Sequence, residues 1–443
     1  MNILIKNGTI VNSQHSSQSN ILVKDGIISA IGDLKSIDDK IDYELNAQGF
    51  YVFPGGVDPH VHMHLTTPAG YSSDNFISGA KAALHGGTTS LIDFVTPHRG
   101  QSIVEALHQR KAEAISSPID YKFHVSPVEW TENTEKEILH CIKNEGVYSF
   151  KVYMAYKNNI GLNDDTIFKV MQIVGKAGGI VTVHAELGDN IELLRTQFAK
   201  NGQIAPEFHA LSRPPEMESL AVKKVIEMAA KTNCPVYIVH VSTKESIDYI
   251  REAQQKGQKV YAETCMHYLL LDDSKYQGNF NQTAAFVISP PLRQKEDQDA
   301  LWQAIADGTI QTVATDHCPF NLAQKKSGID DFRKIPNGAG SVEHRLALLY
   351  TYGVLQNKIS INRFVDLVST RPAKLFNLHP AKGEITIGSD ADLVIWNPKP
   401  EQTISVKTHH QNCDCELFEG FKTIGKAEYI ILKGVIWDKV SKS

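Results

Sequence analysis

Two imidazoles stand one residue apart at the end of an apolar run, Val57-Asp58-Pro59-His60-Val61-His62. In an extended strand alternate side chains share a face, so His60 and His62 point the same way and can grip one metal ion. Four further apolar runs bear residues of the same chemical kind. Ser149–Met154 carries Lys151, Ile180–Glu186 carries His184, Val236–Ser242 carries His240, and Thr312–Asp316 ends on Asp316.

Taken singly, these residues have plain structural uses. A histidine on an apolar strand is more often a hydrogen-bonded core residue than a ligand, and an aspartate at a strand end often caps the next helix. Lys151 is the odd one, because a bare ammonium in an apolar strand costs several kcal/mol unless it is paired. It either snorkels to the rim or reacts with carbon dioxide to give a carbamate, an anion able to bridge two cations. Together, four histidines, one aspartate and one lysine at five strand ends read as a metal centre. Six ligands exceed what one tetrahedral zinc takes and suit two ions sharing a bridge. Such a pair, about 3.5–4 Å apart, holds a hydroxide as nucleophile and polarises a carbonyl oxygen. Asp316 can take that hydroxide's proton and pass it to a leaving nitrogen. That chemistry is amide hydrolysis.

The elements that position these residues follow from the apolar patterning. From about residue 54, short apolar strands alternate with amphipathic stretches: Val57–His62, Thr89–Val95, Tyr121–Ser126, Ser149–Met154, Ile180–Glu186, Val236–Ser242, Val260–Cys265 and Thr312–Asp316. Eight βα units in one run predict an α/β fold, a (β/α)8 TIM-type barrel with its chemistry at the C-terminal strand ends. The extra length between Leu187 and Asn233 and between Leu269 and Asp297 predicts long loops or added helices over that face. Gly86-Gly87 reads as a helix stop before the second strand. Residues 1–53 read as β, with hairpin signals at Lys6-Asn7-Gly8-Thr9 and Lys24-Asp25-Gly26-Ile27. After about 379 β returns, at Gly383–Ile385, Asp392–Trp396 and Tyr429–Val435. The expected division is therefore 1–53 as one part of a small β-sandwich, 54–379 as the barrel, and 380–443 as the rest of the sandwich and a tail.

Composition sets outer limits. The chain has 443 residues, 42% hydrophobic and 21% charged, with a net charge of −5 and no long charge run. That profile fits a soluble globular protein and gives no basic footprint for nucleic acid. No apolar stretch approaches a membrane span, and the start of the chain lacks a signal peptide. Six cysteines in this length do not make a disulfide framework, so a cytoplasmic location with reduced thiols is expected.

The chain resembles the amidohydrolase superfamily and, within it, the cyclic amidases: dihydropyrimidinases and hydantoinases. The resemblance rests on Pro54–His62, Phe150-Lys151-Val152-Tyr153-Met154-Ala155-Tyr156, Glu263-Thr264-Cys265 and Asp316-His317-Cys318-Pro319-Phe320. It rests too on Ser289-Pro290-Pro291-Leu292-Arg293, Ile335-Pro336-Asn337-Gly338 and Gly388-Ser389-Asp390-Ala391-Asp392. It implies two Zn2+ per subunit, one held by His60, His62, Asp316 and carboxylated Lys151, the other by the same carbamate with His184 and His240. It also implies that Tyr156 donates its hydroxyl to a developing oxyanion, and that Ser289 and Asn337 hold the imide edge of a ring. A homotetramer is a further implication. The expected activity is opening of dihydropyrimidine or 5-substituted hydantoin rings to N-carbamoyl amino acids by metal-hydroxide attack. Allantoin or another cyclic ureide is the alternative, dihydroorotate is less favoured, and a non-catalytic scaffold is least favoured because all six ligand positions are filled.

One position departs from the pattern. Where dihydroorotases usually carry a carboxylate-reading arginine and dihydropyrimidinases often an aspartate, this chain has His64, here a candidate substrate contact. The following segment Thr66–Tyr71 also departs from the usual one. Met63, Leu65 and Tyr153 are candidate apolar lining. Cys318 reads as packing, and Cys413-Asp414-Cys415 as a structural segment rather than a metal motif.

Overall fold

The computed structural model describes residues 1–34, 40–157 and 159–437. Residues 438–443, the tail of the expected C-terminal part, lie outside them. In chain order the strands are β1 (Ile3–Val11), β2 (Ser16–Lys24), β3 (Ile27–Gly32), β4 (Tyr43–Asn46), β5 (Tyr51–Pro54), β6 (Gly56–Val61), β7 (Thr66–Thr67), β8 (Gly70–Tyr71), β9 (Thr88–Val95), β10 (Asp120–Val125), β11 (Ser149–Tyr153), β12 (Ile180–His184), β13 (Val236–Ile238), β14 (Val260–Cys265), β15 (Thr312–Ala314), β16 (Leu393–Thr403), β17 (Lys422–Leu432) and β18 (Val435–Trp437).

All eight expected barrel strands form. They pair in parallel in the order β15-β14-β13-β12-β11-β10-β9-β6, with helices between them. Except for the first half of β10, the strands are buried on both faces, which is why most of their sequences are apolar runs rather than alternations. The seam between β6 and β15 is closed by a bridge from Val61 to His317. A buried guanidinium spans the same seam. Arg345 donates to Val57 O at 2.9 Å on β6, to Val313 O at 3.1 Å on β15 and to Thr88 Oγ1 at 3.0 Å on β9.

The helices form for ordinary reasons. In Asp164–Lys176, Ile167, Val170, Met171 and Val174 recur at helical spacing and are buried, and the Asn163 side chain caps the first turn. The extra length over the top face folds as helices: Gly188–Lys200, Glu207–Leu211 and Pro215–Thr232 after β12, with short turns between Asp273 and Phe286 after β14. Gly86 caps the helix Ser78–His85 and Gly87 turns the chain at φ 88° into β9.

The chain ends share a second sheet, ordered β18-β17-β16-β5-β1-β2-β3, with β4 on the β5 edge of β1. The join is the antiparallel pair β5–β16, in which Val52 faces Ile395. Ile3, Ile5, Ile21, Val23 and Ile28 from the first end pack with Leu393, Ile395 and Ile431 from the last.

Three local expectations need correction. Lys24–Ile27 is a hairpin, but Lys6-Asn7-Gly8-Thr9 is not. Asn7, at φ 61°, forms a bulge inside one long β1, and Gly8 is required there because a Cβ would sit 2.6 Å from Val52. Gly383–Ile385 is a loop, held by the Asn12 amide, which accepts from Ile385 N at 2.8 Å and donates to Ile385 O at 3.0 Å. Tyr429–Val435 is not one strand. Lys433-Gly434, both at positive φ, turn β17 into β18.

Candidate active site

β6 delivers His60, and His62 lies just beyond its end. The two Nε2 atoms are 3.2 Å apart, and Asp316 Oδ1 lies 3.0 Å from the first and 3.2 Å from the second. Four donors around a tetrahedral ion with bonds near 2.0 Å stand about 3.3 Å from one another, so these three atoms have the spacing of ligands. Close by, with the His240 ring 5.5 Å from that of His60, His184 Nδ1 and His240 Nε2 are 2.9 Å apart. Lys151, 1% exposed and lining the same cavity, extends its amine over the ring faces of Phe94 at 4.9 Å and Tyr153 at 5.0 Å. Among the described residues no carboxylate pairs with it.

Buried carboxylates fix the imidazoles. His60 Nδ1 meets Glu263 Oε1 at 2.6 Å, which leaves Nε2 for the centre. The same Glu263 accepts from the Tyr237 hydroxyl at 2.7 Å and from His240 N at 3.1 Å. His184 Nε2 meets Glu186 Oε2 at 2.7 Å, and Arg213 pairs with that carboxylate. Asp93, fully buried, accepts from Met63 N at 2.7 Å and from Arg110, tying down the chain just past His62. These orienting residues are the part of the site not predicted from sequence.

The electrostatics favour cations. Burial opposes a charged His60, yet the Asp316 and Glu263 carboxylates outweigh it and push the imidazole up to about 9. Burial pulls the Lys151 amine down to about 7 although the same two carboxylates work against it. The two carboxylates thus draw positive charge to His60, while burial holds His62, His184, His240 and Lys151 toward their neutral forms, the forms that can ligate.

Three residues of the centre, Tyr156, His240 and Asp316, take φ of 60°, 41° and 49°. The left-handed region is costly for side chains of this size, so the surrounding packing and hydrogen bonds must hold all three there.

One cavity of about 480 Å3 is lined by every residue predicted for the site: His60, His62, His64, Lys151, Tyr156, His184, His240, Ser289, Asp316 and Asn337. The Tyr156 ring lies 5.3 Å from that of His184 and 5.5 Å from the Arg213 guanidinium. Asn337 Nδ2 donates to Ser289 Oγ at 3.1 Å. His64 sits where Thr66–Tyr71 folds over the rim as β7 and β8, its ring stacked on Tyr71 at 3.9 Å. Leu65 and Tyr153 line the cavity, but Met63 does not. One residue on from His62, it faces the other way, packed into the helix Ser78–His85 where Gly79 leaves room for its sulfur. Cys318, buried, packs against Gly338 in the cavity wall. Cys413 lies outside it, with its thiol donating to Phe320 O at 3.3 Å.

Residues 51–434 match the amidohydrolase family. The chain belongs to that family. This amidohydrolase is 41% identical to a D-hydantoinase of Geobacillus stearothermophilus, over 99% of this chain and 94% of that one. It is 38% identical to a dihydropyrimidinase of Arabidopsis thaliana, over 98% of this chain and 82% of that one. The crystal structure of a dihydropyrimidinase from Brevibacillus agri superposes with a TM-score of 0.95 at 41% identity, covering 98% of this chain and 95% of that one. Family membership and the converging His/Asp donors together support a metal cofactor for this amidohydrolase. Among the described residues no helix is long and apolar enough to cross a membrane.

Proposed function

We propose that this amidohydrolase opens cyclic amides, 5-substituted hydantoins or dihydropyrimidines, to N-carbamoyl amino acids. The observation that carries the reading is the convergence of six donor side chains in two groups, beside Tyr156, in one cavity at the barrel mouth. Relatives named for hydantoin and dihydropyrimidine rings support the substrate class.

In this reading His60, His62, Asp316 and Lys151, as its carbamate, would hold one Zn2+. The same carbamate with His184 and His240 would hold a second. When bound, the ions supply Lewis acidity, polarising the scissile carbonyl and lowering the pKa of a water. Asp316 accepts the proton lost by the attacking water and returns it to the ring nitrogen as the C–N bond breaks. The Tyr156 hydroxyl donates to the carbonyl oxygen as negative charge grows there. Ser289 and Asn337 hold the imide edge of the ring, and His64, its ring stacked on Tyr71, flanks its substituent. The division into a barrel at 54–379 and a joint terminal domain from 1–53 and 380–443 is part of the same reading. So is a cytoplasmic homotetramer, checked by the sedimentation mass.

Ring opening is read directly as loss of ring absorbance for dihydrouracil and for D- and L-5-methylhydantoin, with zinc-loaded enzyme. Turnover of at least one of these rings far above allantoin is expected, and allantoin as the best substrate by a wide margin would overturn the ring assignment. A companion test concerns Glu263. Glu263→Gln is expected to weaken metal retention by about 10- to 100-fold, because His60 loses the carboxylate that fixes its tautomer. Competition with a chelator measures this, and unchanged retention would remove Glu263 from the centre's support.

A further inference from the structure

Outside the substrate cavity, His344 precedes the helix Arg345–Leu349 and meets the segment joining β16 to β17. His344 Nε2 lies 3.0 Å from Glu416 Oε2, and His409 Nδ1 lies 3.1 Å from the same oxygen. The three side chains are 10%, 3% and 0% exposed. These spacings are close to the about 3.3 Å edge of a tetrahedral ligand set.

The hydrogen bonds around the cluster leave its donor atoms aimed inward. His409 Nε2 donates to Cys413 O at 2.8 Å, so Nδ1, which donates to Glu416 while no ion is bound, is the nitrogen that loses its proton and ligates when a cation enters. A ring N–H on a backbone carbonyl with the other nitrogen directed at a shared centre is the usual setting of a metal-bound histidine. Glu416 Oε1 is likewise fixed, accepting from Phe418 N at 3.0 Å. An independent observation comes from Gln411, which is 5% exposed. One atom of its amide lies 3.2 Å from His409 Nδ1, 3.3 Å from Glu416 Oε2 and 3.4 Å from His344 Nε2. The amide oxygen points away and is buried without a hydrogen-bond partner. The two ends of an amide are placed by their hydrogen bonds alone, and turning this one over brings the oxygen to the centre as a fourth donor. A cavity of about 270 Å3, lined by His344, His409, His410, His85 and Glu343, gives an ion a way in.

We propose that His344, His409, Glu416 and the Gln411 side-chain oxygen form a second, structural site for a borderline divalent cation such as Zn2+. It fastens the segment between β16 and β17 to the barrel wall. Two imidazoles, a carboxylate and an amide oxygen suit zinc better than calcium or magnesium, which take oxygen shells. With all four positions filled by protein, the ion is closed to substrate, as structural zinc is. The proposal does not depend on which ring the enzyme opens.

Anomalous diffraction on both sides of the zinc edge tests it, with crystals of the full chain equilibrated at a small molar excess of Zn2+. A peak about 2.0–2.1 Å from His344 Nε2 and His409 Nδ1 is expected. Glu416→Gln and His409→Asn should each lose one zinc per chain by elemental analysis while keeping ring-opening activity. Absence of that peak in maps that do show zinc at His60 and His62, or its appearance only at millimolar zinc, overturns the site. The wild-type map decides even if a variant fails to fold.

Discussion

Lys151→Ala protein is expected to fold, to fail to retain metal at either donor group, and to lose turnover by at least about 10³-fold. The side chain lines the same cavity as His60, His62, Asp316, His184 and His240. An alanine also removes a buried amine that no described carboxylate pairs with, so the fold loses little. The chemistry of the bridge sets a pH dependence. A neutral amine adds to carbon dioxide, forming a C–N bond and a carboxylate and releasing one proton. Burial brings the amine's pKa down to about 7, so the reactive lone pair is available above that pH and lost to a proton below it. Metal-free wild-type protein given zinc and equal dissolved carbon dioxide should therefore regain activity faster at pH 8 than at pH 6. Elemental analysis and single-turnover assays check both statements. Full metal content and full activity in Lys151→Ala would eliminate the bridge.

The second large effect is on the transition state alone. Tyr156→Phe should lower kcat by about 10²–10³-fold, the usual cost of one oxyanion donor. KM and zinc content should stay near wild type. Phenylalanine keeps the ring against His184 and Arg213, so only the hydroxyl is lost. A kcat within twofold of wild type would assign the oxyanion to another donor.

The barrel and its ligand positions were legible because the strands are short, largely apolar runs and five of the eight carry a ligand-type residue at or near the C-terminal end. That is the pattern produced when a fully buried strand surfaces at a functional rim. What the sequence hid were residues whose role depends on a partner far along the chain. Glu263 looks like an anomaly inside Val260–Cys265 until His60 is found 2.6 Å away. Glu186 gains its meaning from Arg213. The same logic that singled out Lys151, a charge inside an apolar strand, would have found Glu263. Asn7-Gly8 misled because a bulge and a two-residue turn both need positive φ, and only pairing with β2 and β5 distinguishes them. Lys433-Gly434 misled in the opposite sense, as a turn hidden in an apolar run. The Gly383–Ile385 stretch read as a strand because Asn12 supplies, from a side chain, the bonds that a neighbouring strand would give.

The pairing of Val52 with Ile395 has a consequence for how the protein is born. On the ribosome the isoleucine-rich strands at the start emerge first, yet the edge they need is made only after the entire barrel has been translated. Until then β5 offers an open row of backbone groups, the kind of edge that recruits other chains. Pairings this remote in sequence are slow to form. Synthesis should therefore pass through a stage with a finished barrel and an unsatisfied N-terminal sheet, and chains truncated before β16 should aggregate rather than accumulate as stable barrels.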